Sequence, residues 1–263
     1  MYVKTLHGLS LNGAWQMQLR LYFAWIACAA LAFLFTRQNL LQYPATLLTV
    51  HLVSGTAVIL YALIRKKENF RFVPQVHITA QTMLLALVMG LSLVVLNDAA
   101  SQWLPLPYWP EVSFTRVNTA SLYTITGSVM IAAFMEEILF RGIIMEALLK
   151  RYSGRIALLQ SSLLFMLAHP DPSQMPGAFL LGLLTGYFYL RQRDLCMCFF
   201  IHLTNNVVTA ILMLNSSLFF STMEPGFYYG LLLTGVLVLW GGYFLLKRLT
   251  VGAVKPSPAL LSE

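Results

Sequence analysis

Apolar residues along this chain gather into eight blocks, near 21–36, 43–64, 78–96, 119–141, 156–168, 176–190, 195–214 and 227–246, separated by short polar or basic segments. A helix needs about 20 residues to cross ~30 Å of hydrocarbon, so several of these blocks must recruit flanking residues into their helices. The pattern predicts an all-α fold: a polytopic transmembrane helix bundle of about eight spans, forming a single membrane domain over 1–263. No repeat, low-complexity tract or long linker divides it.

Composition agrees with the pattern. Hydrophobic residues make up 58% of the chain and charged residues 10%, against about 25% charged in a soluble domain. The charges are also segregated. Numbering the segments between blocks alternately places Lys4 and Arg20, residues 65–71, residues 142–155, residues 191–194 and the tail on one side, with 14 of the 17 Lys and Arg. Arg37 and Arg116 fall on the other side, and Arg141 lies within a block. Positive residues mark the cytoplasmic face, so both termini are expected in the cytoplasm. The expected location is the bacterial cytoplasmic (inner) membrane, as a multi-pass integral protein. Basic loops facing anionic headgroups account for the net charge of +7, and no nucleic-acid partner is needed.

Smaller features add detail. Arg37 directly follows the first block and no small-residue cleavage site ends it, so that block is read as a retained helix rather than a signal peptide. Residues 97–118, with Pro105, Pro107, Pro110 and two tryptophans, suggest an interfacial loop, and the tail after Arg248 is expected to be mobile. Cys28, Cys196 and Cys198 fit neither a disulfide framework nor a zinc knuckle. Gly182 and Gly186 form a Gly-x-x-x-Gly pattern expected to tighten packing within the chain.

The remaining polar residues are costly at membrane depth: Glu136, Glu137, Arg141, His169, His202, Asn205 and Asn206, with His51 standing apart. Glu137 and Arg141 are four residues apart with the acid first, the favourable order for a helical ion pair. His202 and Asn206 share the same spacing and hence one helix face. Phe165 lies one turn before His169. Counting from the basic loops at ~1.5 Å per residue puts Glu136 and His169 both ~21 Å deep, His202 ~14 Å and Asn206 ~20 Å. This count takes helix four as continuous to Leu149. A carboxylate beside imidazoles can hold a water and take its proton. A second imidazole and a carboxamide can donate to the oxyanion formed when water attacks an amide. Glu136, His169 and His202 would equally suit a divalent metal such as zinc, and the sequence leaves that question open. Asn205 is rotated about 100° from Asn206, so spacing from His202 favours Asn206 as the site residue. His51 has no motif around it and reads as a satisfied core histidine.

Glu-Glu-Ile-Leu-Phe-Arg-Gly at 136–142, Phe-Met-Leu-Ala-His at 165–169 and His-Leu-Thr-Asn-Asn at 202–206 resemble the three signatures of the CAAX-protease and bacteriocin-processing family of intramembrane endopeptidases. They fall in order within a motif-bearing core of about 119–214. The resemblance implies that Glu136 activates water with His169, that His202 and Asn206 orient it or stabilise the oxyanion, and that Glu137, Arg141 and Phe165 support them. It also implies a bundle whose site opens toward the cytoplasm and a membrane-anchored or lipid-proximal peptide substrate. His-Glu-x-x-His, the commonest sequence warrant for a protease zinc, is absent. The competing reading is a proton- or ion-coupled transporter built on the same buried Glu and His residues, against which stands the lack of a second copy of the Glu-Glu motif.

Overall fold

Long apolar runs close their backbone hydrogen bonds within themselves and turn their side chains to whatever surrounds them, and this chain does so almost throughout. The computed structural model describes residues 10–36, 43–65, 78–109, 121–215 and 220–250, which hold eight principal helices and no strand. They are α1 (Leu11–Thr36), α2 (Pro44–Arg65), α3 (Ala80–Trp103), α4 (residues 122–148, in five pieces), α5 (Gly154–Leu167), α6 (Met175–Gln192), α7 (Leu195–Leu214) and α8 (Pro225–Leu249). Five of them, α1, α2, α3, α7 and α8, are long and apolar enough to cross a membrane. The expected tail segment after Arg248 lies largely outside the described residues, as do residues 110–120 of the expected interfacial loop. The described part of that loop begins late, because α3 continues to Trp103.

Local sequence sets the ends. Thr79 and Ser121 cap α3 and α4 through reciprocal hydrogen bonds with Thr82 and Thr124. Asp194 caps α7 by accepting from the amides of Cys196 and Met197. Glu224 does the same for α8, with Pro225 at its first position. The first helix begins at Leu11, ten residues before its apolar block, since Ser10 caps Gly13 and the Leu11 amide donates to the Tyr152 hydroxyl.

The interior is apolar with the ionisable groups set within it, and the outer surface is apolar as well, unlike that of a soluble domain. Phe23, Ile26 and Phe35 on α1 and Leu233, Trp240 and Phe244 on α8 are exposed, as a lipid-facing surface requires. Phe140, Ile143, Met145, Phe165, Phe188, Tyr189 and Ile201 form the packed interior.

The two ends of the bundle differ in charge. The turn 149–153 between α4 and α5, the two-residue turn Arg193–Asp194 between α6 and α7, and the ends of α2 and α8 lie at one end. There Arg193 Nη1 donates to Glu146 at 2.6 Å and Arg191 bonds to Thr250 and the Lys247 carbonyl. Arg193 closes α6 in the left-handed conformation at φ 53°. At the other end lie the C-terminus of α3, the hairpin 168–174 between α5 and α6, and the C-terminus of α7. Asp171, fully buried, ties that hairpin together by accepting from the Ser173 amide and hydroxyl and from the Trp109 amide.

Helix α4 departs from the expected continuous α-helix. Residues Gly127–Ala132 and Ile138–Met145 are π-helical, and Ala133–Glu137, carrying both glutamates, is a single α-turn between them. The wider turns are stabilised by side chains: Ser161 on α5 donates to the Phe140 carbonyl at 2.8 Å, and Ser128 donates to the Thr124 carbonyl at 2.7 Å. Such π-turns concentrate at functional sites.

Gly182 and Gly186 bring α6 against α5, in keeping with packing inside the chain. A Cβ at Gly182 would stand 3.1 Å from the Cα and Cβ of Ser162, and one at Gly186 would stand 2.6 Å from a Leu158 methyl. Backbone cannot yield as a side chain can. Gly182→Ala is therefore expected to cost about 1–3 kcal/mol through overpacking, seen as a lower Tm in detergent; an unchanged Tm would show that α5 and α6 can separate freely.

Candidate functional site

Glu136 sits at the deep end of a cavity of about 300 Å³ enclosed by α3, α4, α6, α7 and the hairpin 168–174. His169, His202, Asn205 and Asn206 line the same cavity, with Asn97 and Asp98 from α3 and Ser173 and Gln174 from the hairpin. The four residues expected to share a site, Glu136, His169, His202 and Asn206, thus face one space.

The two glutamates have separate surroundings. Glu137 is buried, pointing away from the cavity toward Arg141, whose Nε lies 3.1 Å from Glu137 Oε2. This is an ion pair whose N–H is not aligned on the oxygen. Arg141 is entirely buried, donates through Nη2 to the Gly182 carbonyl at 3.2 Å, and covers the Phe165 ring at 4.4 Å. Glu137 Oε1 stands 2.8 Å from His202 Nδ1. A carboxylate only accepts, so Nδ1 carries the proton and Nε2 of His202 is directed at Glu136 Oε2, 3.8 Å away. Glu136, Glu137 and Arg141 share one helix and still divide into a cavity-facing acid and a buried ion pair.

His169 is held in a parallel way. Its Nδ1 lies 3.0 Å from the Phe165 carbonyl, which can only accept, so Nε2 is left for the cavity. Phe165 is the ring that keeps the imidazoles apart and upright: it meets His169 edge-on at 5.0 Å, His202 at 5.7 Å and Phe140 at 5.2 Å. One turn of α5 thereby supplies both the histidine and its support.

Two residues go beyond the sequence reading. His51, taken there as a core histidine, is satisfied by Glu136 itself: its Nε2 donates to Glu136 Oε1 at 3.1 Å from α2. Asn205, set aside in favour of Asn206, lines the cavity as well, because Asn97 donates to Asn205 Oδ1 and Asn205 to Asn206 Oδ1, each at 3.3 Å. The amides form a short relay in which both neighbours take part.

As a metal site this arrangement fits poorly. Among the described residues no three His, Cys, Asp or Glu side chains are disposed to hold an ion. His51 Nε2 and Glu136 Oε1 occupy each other.

The cavity lies off-centre along the bundle. Its lining comes from the C-terminal parts of α3 and α7, the N-terminal parts of α4 and α6, and the hairpin 168–174, all toward the end of the bundle away from the basic turns.

Fold and site together define an apolar helix bundle with a carboxylate and two imidazoles lining an internal cavity and a third imidazole bonded to that carboxylate. The family model described as type II CAAX prenyl endopeptidase Rce1-like matches residues 118–208, the stretch that carries all three motifs, in agreement with the resemblance read from them. No curated protein and no solved structure matches the chain.

Proposed function

We propose that this protein is an intramembrane endopeptidase that hydrolyses a peptide bond in a membrane-associated substrate, with Glu136 as the general base. The observation that carries this reading is the placement of Glu136 on the cavity floor, bonded to His51 at 3.1 Å and facing His202 Nε2 at 3.8 Å. The family match over the same residues supports it.

In this mechanism His51 fixes one oxygen of Glu136, and the other takes a proton from water bound in the cavity. The hydroxide attacks the substrate carbonyl. Nε2 of His169 and His202, left as acceptors, orient the attacking water. The N–H groups of the Asn206 carboxamide, whose oxygen is held by Asn205, donate to the oxyanion, and Glu136 passes the proton it took from water to the leaving amine. Glu137 and Arg141 hold the His202 tautomer, and Phe165 holds both rings. Low polarity around the site strengthens each of these interactions relative to water. The whole chain then serves as one membrane domain whose other helices shelter the reaction.

Hydrolysis leaves a signature. Purified protein in liposomes, given membrane-anchored peptides in water enriched in ¹⁸O, is expected to yield fragments whose new carboxylate carries one ¹⁸O by mass spectrometry. Proton or ion flux with no fragment would overturn the reading in favour of a carrier.

His51 acts through Glu136 and is a positioning residue. Losing its hydrogen bond to a carboxylate is worth about 1.5–3 kcal/mol, so His51→Leu is expected to lower kcat about tenfold to a hundredfold with little change in KM. His51→Gln keeps a donor at that position and should recover most of the rate. Equal loss in both variants would assign His51 to packing alone.

A further inference from the structure

Three features of the bundle share one axis. The floor of the cavity is closed: below Glu136, toward the basic turns, Phe140, Arg141, Met145, Phe165 and Tyr189 are buried to within 2% of complete exclusion. Above Glu136 the cavity continues past Asn205 to Ser101, Gln174 and Met213, near the opposite end of the bundle. The reason is the length of α5, whose 14 residues reach only ~21 Å and so turn back at His169 before the neighbouring helices end.

Charge follows the same axis. Among the described residues the end with the cavity mouth holds Asp98, Asp171 and Glu224 and no Lys or Arg, whereas Lys150, Arg151, Arg155, Arg191, Arg193, Lys247 and Arg248 are gathered at the closed end. Trp103, Tyr108 and Trp109 stand exposed beside the mouth, where aromatic rings mark the boundary between hydrocarbon and headgroups.

We infer that the substrate reaches Glu136 from the face opposite the basic turns, which the asymmetry of positive charge makes the extracytoplasmic one. This rests on the hydrolase reading for the word substrate, but the direction of access does not. The corresponding substrate class is a membrane-anchored peptide whose scissile segment lies extended at the outer leaflet or just beyond it. A ligand arriving from the cytoplasm would meet the packed layer around Arg141.

Labelling with a membrane-impermeant thiol reagent tests the direction without turnover. In a background with Cys28, Cys196 and Cys198 replaced, Ser101→Cys places a thiol at the mouth and Arg151→Cys places one in an exposed basic turn. On intact spheroplasts, a charged methanethiosulfonate should abolish later maleimide labelling of Ser101→Cys and leave Arg151→Cys untouched; inverted vesicles should give the converse. Protection of both from the same side, or the reverse pattern, would overturn the inference. Should the cysteine-free background fail to fold, the wild-type chain with a fluorescent protein fused after Glu263 decides: fluorescence is expected for a cytoplasmic tail beyond α8, and a dark, translocated tail would refute the assignment. Failure of the ¹⁸O experiment would remove the hydrolase reading while leaving these labelling results intact.

Discussion

Glu136→Gln is expected to lower the rate of peptide hydrolysis by about 10²–10⁴, the range that a positioned general base contributes, while the Tm in detergent changes little. The substitution keeps the size of the side chain and its acceptor oxygen for His51, and removes only the capacity to take a proton from water. Glu136 lies at the cavity wall, where a neutral amide is readily accommodated. Cleavage of a membrane-anchored peptide, followed as fragment per unit time, measures the first quantity and thermal unfolding the second. Activity at the wild-type level would remove Glu136 from the chemistry, whatever the motifs suggest.

Glu137→Leu should act in the opposite way, on the fold first. It leaves Arg141 wholly buried with its carboxylate gone, and breaking such a pair by removing one partner costs about 3–5 kcal/mol. It also takes the acceptor from His202 Nδ1, so any protein that folds should be inactive. Replacing both members, as in Glu137→Leu with Arg141→Met, removes the stranded charge and should restore a large part of the stability but none of the activity. A double variant no more stable than the single one would show that the pair contributes little to holding α4, α6 and α7 together. The two adjacent glutamates would then be distinguished by experiment: one variant folded and silent, the other unfolded.

Much of this site was legible before any coordinates. Glu136, His169 and His202 carry polar atoms at membrane depth, and counts from the basic loops bring the first two to one level, ~21 Å, and His202 near it at ~14 Å. His51 was missed because no motif surrounds it, yet the same count applies: it lies 14 residues from Arg65, again ~21 Å deep. Treating every ionisable residue at that depth as a member of the set would have found it. Asn206 lines the cavity as expected, and Asn205 was left out beside it for a different reason. A helical wheel assumes that a site is approached from one direction, whereas Asn97 on α3 comes at Asn205 from the side and links it into the cavity wall.

The direction of the opening was hidden for a third reason. Depth counts give a level, not the side on which space is left, and that depends on α5 stopping short. The sequence placed the corresponding block at 156–168 without showing that the chain would reverse there. Nor could periodicity reveal the π-turns in α4, because their freed carbonyl is satisfied by Ser161 of another helix.

Those wide turns restrict how α4 can vary. Each holds a residue more than a regular helix would need to cover the same contacts, so removing one amino acid from Ile138–Met145 would tighten it to α-helical geometry and leave Glu146 near Arg193. The same removal from the regular turn Ala133–Glu137 would rotate everything beyond it by about 100°. Changes in the number of residues should accordingly be far better tolerated in the wide turns than between them.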